Sequence, residues 1–249
     1  MLAMPAAKLR HIALEGTGST NAEALTLARA GERGPLWITA ARQTQGRGRR
    51  GNAWVSLAGN LHASLLLTAL CAPDKAPQLS FVAGLALHDA VAACAPQVAP
   101  MLALKWPNDL LLAGAKVAGI LIEGESDPAF AVVIGMGVNC AAHPEGTPYP
   151  ATDLAAAGAK VAPVALFEAL TAAMAQRLAQ WSRGDGFAPI RADWLARAAG
   201  LGQEISVRLP EREFTGRFEG LDEAGRLLVM QPDGVSAVTA GEVFALGGR

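Results

Sequence analysis

Apolar and polar positions along this chain fall into three textures. In the first, short apolar runs stand between turn residues. Leu9 to Leu14, Leu36 to Ala41 and Leu61 to Thr68 each predict a strand. After the turn Gly16-Thr17-Gly18, the run Thr20-Asn21-Ala22-Glu23 has capping-box spacing. Leu25 and Ala28, with a stop at Gly31, complete a short helix. Gln78 to Cys94 repeats apolar residues at helical intervals, with Leu79, Val82, Ala83, Ala86 and Ala90 on one face. His88 and Asp89 fall off that face and read as surface residues.

The second texture is a meander. Met101 to Lys105, Leu110 to Leu112, Lys116 to Glu123 and Phe130 to Asn139 are apolar runs interrupted by polar residues. Ala113-Gly114-Ala115 and Ser126-Asp127-Pro128 supply turns. Lys105 and Lys116, taken alone, read as strand-end cations. Cys140 to Ala157, with four prolines or glycines between Pro144 and Pro150, is a loop long enough to serve as a ligand lid. Pro163 then opens a helix whose stripe Phe167, Leu170, Met174, Leu178 and Trp181 is core packing. Gly184 and Gly186 break it, and Ile190, Trp194 and Leu195 lie on a further helix that stops at Gly200.

From Leu201 the third texture begins. Glu204 to Leu209, Glu213 to Leu221, Leu227 to Gln231, Val235 to Thr239 and Glu242 to Leu246 are short strands separated by tight turns. This spacing predicts a small β-barrel. The boundary falls near Gly200, dividing residues 1–200 from residues 201–249.

Composition narrows the class. The chain has 249 residues, 51% hydrophobic and 17% charged, enough for a packed core. Lys+Arg 21 against Asp+Glu 22 gives a net charge of −1, so any basic cluster is local and suits a small anion better than a nucleic acid. Cys71, Cys94 and Cys140 form no paired motif, which argues against disulfide or zinc frameworks and for a reducing compartment. No signal-peptide pattern opens the chain, and the Leu61–Ala72 stretch is too short to span a bilayer. A cytoplasmic protein without membrane association is expected.

The chemistry concentrates in Gln43-Thr-Gln-Gly46-Arg47-Gly48-Arg49-Arg50-Gly51-Asn-Ala-Trp54. Glycines let backbone N–H groups approach a ligand, and the guanidinium groups suit carboxylate or phosphate oxygens. Gly46-x-Gly48-x-x-Gly51 matches a dinucleotide-binding fingerprint in letters. No helical apolar period follows it, so that reading fails its structural condition. The other ordinary reading is a solvated basic loop. No Walker, zinc-protease or nucleophile-elbow motif occurs.

Five segments occur in order: Ser19-Thr20-Asn21, the Gly46–Gly51 arginine loop with Trp54, Lys105-Trp-Pro-Asn108-Asp109, Lys116-Val-Ala-Gly119-Ile-Leu, and Gly135-Met-Gly-Val-Asn139. This series resembles the biotin–protein ligases from about Leu14 to the C-terminus. The arginine loop and Lys-Trp-Pro-Asn-Asp separate it from the related lipoate ligases. The resemblance implies an α+β fold: a mixed sheet with helices like that of class II aminoacyl-tRNA synthetases, plus an SH3-like C-terminal β-barrel. It implies ATP-dependent attachment of biotin, through biotinyl-5′-AMP, to a lysine of a biotin carboxyl carrier domain.

Roles follow from the resemblance position by position. Lys116, Arg47, Arg49 and Asp109 would be catalytic. Ser19, Thr20, Asn21, Gln43, Gly46, Arg47, Gly48, Arg49, Trp54, Lys116 and Gly119 would bind biotin. Arg49, Arg50, Asn108, Lys116 and Asn139 would bind ATP. Mg2+ would arrive with ATP rather than at a dedicated protein site. Eighteen residues precede Ser19, too few for the winged helix-turn-helix of the family's repressor members, so ligase activity without specific DNA binding is expected.

Overall fold

The structure, a computed structural model, describes residues 9–126 and 129–245. The segment before Leu9, the Asp127-Pro128 turn and Leu246 lie outside the described residues.

A seven-stranded mixed sheet carries the larger part of the chain. Its strands are β1 (His11–Leu14), β2 (Leu36–Ala40), β3 (Leu61–Thr68), β4 (Leu102–Lys105), β5 (Asp109–Leu112), β6 (Ala115–Glu125) and β7 (Ala131–Val138). Their spatial order is β1-β2-β3-β7-β6-β5-β4, and only β1 and β2 run parallel. The second sheet is antiparallel: β8 (Glu204–Arg208), β9 (Glu213–Leu221), β10 (Leu227–Gln231), β11 (Gly234–Val238) and β12 (Glu242–Ala245), ordered β11-β10-β9-β8-β12. This is the expected α+β fold with its SH3-like C-terminal unit.

The central sheet has two different faces, and β3 shows why. Side chains alternate across a strand. Leu61, Ala63, Leu65 and Leu67 enter the main core, under α2 (Leu79–Cys94) and α3 (Pro163–Trp181). Leu66 enters a smaller cluster with Ala24, Leu25 and Ala28 of α1 (Thr20–Arg29). His62 and Ser64 share the α1 face, and the site develops there.

Helix α2 is buried more widely than its predicted single face: Phe81, Leu85 and Leu87 are buried as well, because sheet, α3 and α4 (Phe187–Leu195) surround it. Each such buried side chain contributes roughly 2 kcal/mol. His88 and Asp89, expected on the surface, are half-buried: Arg177 of α3 reaches Asp89 Oδ2 at 2.7 Å. The helix itself is covered by α3, so its polar face is an interface.

Helix α1 starts one residue earlier than its capping-box letters suggest. Ser19 is the cap and accepts from Ala22 N at 3.5 Å. Glu23 does not reach back to the cap; its carboxylate accepts from the Thr17 hydroxyl at 2.6 Å.

One buried cluster joins the two sheets, running from Trp37 through α2 to Phe218 and Val229. Trp106 Nε1 donates to Gly225 O at 3.2 Å, and Leu104 N donates to Arg197 O at 2.8 Å. The first bond ties the β9–β10 turn of the C-terminal sheet to the turn after β4, and the second ties the segment after α4 to β4.

Candidate active site

The floor is a row of four residues in register across β3, β7, β6 and β5: His62, Gly137, Gly119 and Asp109. The two glycines leave room for the Trp54 ring to lie on the sheet. A Cβ on Gly137 would sit 2.4 Å from that ring, and one on Gly119 3.0 Å from it. The neighbouring row is Ser64, Gly135 and Leu121. There a Cβ on Gly135 would meet Asn21 Oδ1 at 2.3 Å.

One end of this trough is polar and uncharged. Ser19, Thr20 and Asn21 are buried at the start of α1. Gln43 Oε1 accepts from Thr20 N at 2.8 Å and from its hydroxyl at 3.1 Å, and Gln43 Nε2 donates to Ser56 Oγ at 3.0 Å. Ser64 Oγ lies 2.7 Å from Thr20 Oγ1 and 2.6 Å from Asn21 Oδ1. Side chains so interlocked offer a fixed set of donors and acceptors.

The arginine loop folds over the trough. Arg47 and Ala53 form a bridge, and Trp54 N donates to Gly46 O at 2.9 Å. Gly46 is required by close approach, since a Cβ would lie 2.4 Å from Trp54 O. Arg50 adopts φ 55° and is exposed. Arg47 pairs with Glu123 at 3.1 Å, and Arg49 donates to Asn108 Oδ1 at 3.3 Å.

The other end is cationic. Lys116 Nζ lies 2.7 Å from Asp109 Oδ1, an ion pair between two largely buried side chains. The ammonium sits over the Tyr149 ring at 5.1 Å and the Trp54 ring at 5.8 Å. Asn108 is oriented by donating to Ile120 O at 2.7 Å. Asn139 donates to Thr152 O at 3.0 Å, while its buried Oδ1 has no hydrogen-bond partner among the described residues.

Arg49 is held below its ordinary pKa, first by burial and then by Arg50. Burial likewise lowers Lys105, whose ammonium lies 5.3 Å from the Phe244 ring centre, while Asp109 opposes the shift.

Apart from Gly46, all the residues predicted for the site line one cavity of about 560 Å³. Gly46 faces a smaller cavity of about 470 Å³ behind the loop. Sequence reasoning missed several further lining residues. Tyr149 comes from the long loop. Arg208, Glu242 and Phe244 come from the C-terminal sheet. Lys105, read as a strand-end cation, is part of the site. His62 is 1% exposed. The Leu57 backbone is near, but neither ring nitrogen makes a hydrogen bond of normal geometry, and burial lowers the pKa. Strand parity with Ser64 was the available signal for His62; no local signal points to Arg208 or Glu242.

A sheet-built trough with a basic lid suits a ligand with an apolar body and an anionic end. Residues 18–139 match the biotin/lipoate A/B protein ligase family, and residues 200–246 match the biotin protein ligase C-terminal domain. The chain is 46% identical to the biotin–[acetyl-CoA-carboxylase] ligase of Paracoccus denitrificans, over 93% of this chain and 98% of that one. It is 31% identical to the bifunctional ligase/repressor BirA of Bacillus subtilis, over 83% of this chain but 65% of that protein. A biotin protein ligase from Aquifex aeolicus, solved in complex with biotin and ATP, superposes with a TM-score of 0.81 at 27% identity, covering 94% of this chain and 97% of the other. This chain belongs to the biotin protein ligase family.

Proposed function

We infer that the chain joins biotin to a lysine of a biotin carboxyl carrier domain, using ATP and passing through biotinyl-5′-AMP. The observation that carries this reading is the polarity of the cavity. A glycine-floored trough with fixed neutral donors and acceptors runs under Trp54 to a cluster of cations. That gradient suits an acid with an apolar body, a neutral polar head and a carboxylate that must meet a phosphate.

In the first step the biotin carboxylate oxygen attacks the α-phosphorus of ATP, and pyrophosphate leaves. Two anions must approach, so the fixed cations lower the barrier. Lys116 stands at the junction of trough and cationic end. Arg49 and Lys105, partly stripped of water, act there with less screening. In the second step the acceptor amine attacks the acyl carbon and AMP leaves. The amine must first lose a proton, and we assign that role to Asp109, a carboxylate on the cavity wall. Asp109 and Glu242 are the carboxylates on the cavity wall. Either would supply an oxygen ligand to a Mg2+ ion carried in on the ATP phosphates, and such an ion would offset phosphate charge. The lid keeps water from the mixed anhydride between steps.

Among the described residues no helix is long and apolar enough to cross a membrane. We place the reaction in the cytoplasm, with residues 1–200 as the catalytic unit and residues 201–249 as a unit completing its ATP end. The test is transfer of labelled biotin to a carrier domain. Transfer is expected with ATP and not without it; no transfer with ATP, or equal use of lipoate, would overturn the reading.

A further inference from the structure

The arginine loop needs something to hold it down, and the residues lining the main cavity supply only part of that. Two side-chain anchors tie Gly46–Gly51 to the sheet: Arg49 on Asn108, and Arg47 on Glu123. Glu123 has a second partner. The same oxygen, Oε2, accepts from Asn21 Nδ2 at 2.8 Å and from Arg47 NH2 at 3.1 Å. Asn21 in turn receives Ser64 Oγ at 2.6 Å over Gly135. A continuous polar path therefore runs from the trough through Asn21 and Glu123 to the lid.

We propose that Glu123 is a positioning residue that latches the arginine loop closed and ties that closure to the shape of the trough. Glu123 lies on the same β6 face as Gly119 and Leu121, two strand residues beyond Leu121, so it touches the lid from outside the ligand space. Asn21 can hold its amide toward Glu123 only while its oxygen faces Ser64. A ligand that fixes Asn21 therefore also fixes the carboxylate that receives Arg47. The role rests on the ligase reading for its consequence, which is retention of the adenylate, but not for its geometry.

The pair is a modest one. Side-chain exposures of 43% for Arg47 and 24% for Glu123 put it in screened surroundings, where an ion pair changes an equilibrium by a few-fold. A lid benefits from that, because it must reopen.

The test is Glu123→Gln, which keeps an oxygen for Asn21 but removes the charge that holds Arg47. Two readouts are used on the full chain. Limited trypsin digestion cuts after the loop arginines only when the loop lifts, and the variant should be cut a few-fold faster at low salt. That difference should vanish near 1 M salt, where the screening length falls to about 3 Å. Release of biotinyl-5′-AMP should likewise quicken a few-fold, with the thermal midpoint unchanged. Equal cleavage of the two proteins at low salt would overturn the latch, as would a difference that persists at high salt. If the wild type forms no biotinyl-5′-AMP, the ligase reading falls while the trypsin arm still decides the latch.

Discussion

Lys116 is tied to its place by opposite demands. Asp109 at 2.7 Å balances its charge, and the rings of Tyr149 and Trp54 shield it from water. A cation so held needs little rearrangement when two anions arrive, which is the condition for electrostatic catalysis. Lys116→Ala should slow biotin-dependent ATP–pyrophosphate exchange by on the order of 10²–10³-fold. Circular dichroism should stay close to wild type, while the thermal midpoint falls somewhat because Asp109 loses its counter-ion in a largely buried place. Near-normal exchange would remove Lys116 from the first step. The residue scale is also where sequence reading reached furthest. Ser19, Asn108 and Lys116 stand in the short motifs that carry the family resemblance, and the structure brings all three to one cavity. His62 and Ser64 stand in no such motif: their shared parity places them on one face of β3, but nothing local says that this face, rather than the other, carries the site.

At the scale of elements, the strands and helices were largely legible from periodicity, and β3, β9 and β10 have the bounds their apolar runs predict. What periodicity does not reveal is which polar face meets another element. Helix α2 illustrates this. Arg177 of α3 pairs with Asp89 of α2 at 2.7 Å and with Asp193 of α4 at 2.6 Å, locking three helices. Burial works against ionisation at Asp89, but bonds from His88 and Arg177 hold its carboxyl below the ordinary range; Asp193 is lowered in the same way by Arg177 and Gln180. Groups depressed in the folded state contribute stability that is present above their unfolded pKa, near 3.8, and lost as pH falls through the folded value. Arg177→Ala should therefore cost about 1–2 kcal/mol at pH 7, discounted for the partial exposure of Asp193. Thermal or urea unfolding of the two proteins should show that gap shrinking below about pH 4 as both carboxyls protonate. A gap independent of pH would mean that Arg177 acts through packing alone.

At the scale of the whole molecule, the cationic end of the cavity is assembled from two sheets. Lys105 and Asp109 come from the large sheet, and Arg208, Glu242 and Phe244 from the small one. Nearness between such distant segments is invisible in sequence, since it depends on how the sheets dock. Docking turns on Gly225. Its carbonyl accepts from Trp106, three residues before Asp109, and its φ of +83° is one that side chains other than glycine rarely adopt. A Cβ there would sit 2.6 Å from the Phe81 ring, which itself packs edge-on against Phe187 and Trp194. Gly225→Ala must shift either the aromatic cluster or the small sheet, at a cost of about 1–3 kcal/mol from the strained backbone alone. Because β12 carries Glu242 and Phe244 to the cavity, a tilt of the small sheet disturbs the cationic end and leaves the trough under Trp54 intact. Calorimetric titration of the variant should show ATP binding weakened on the order of tenfold, as a misfit of about 1.4 kcal/mol implies. Biotin binding should be within twofold of wild type. Equal loss of both would mean that the C-terminal sheet supports the entire fold rather than the ATP end, and no loss of either would separate it from the site altogether.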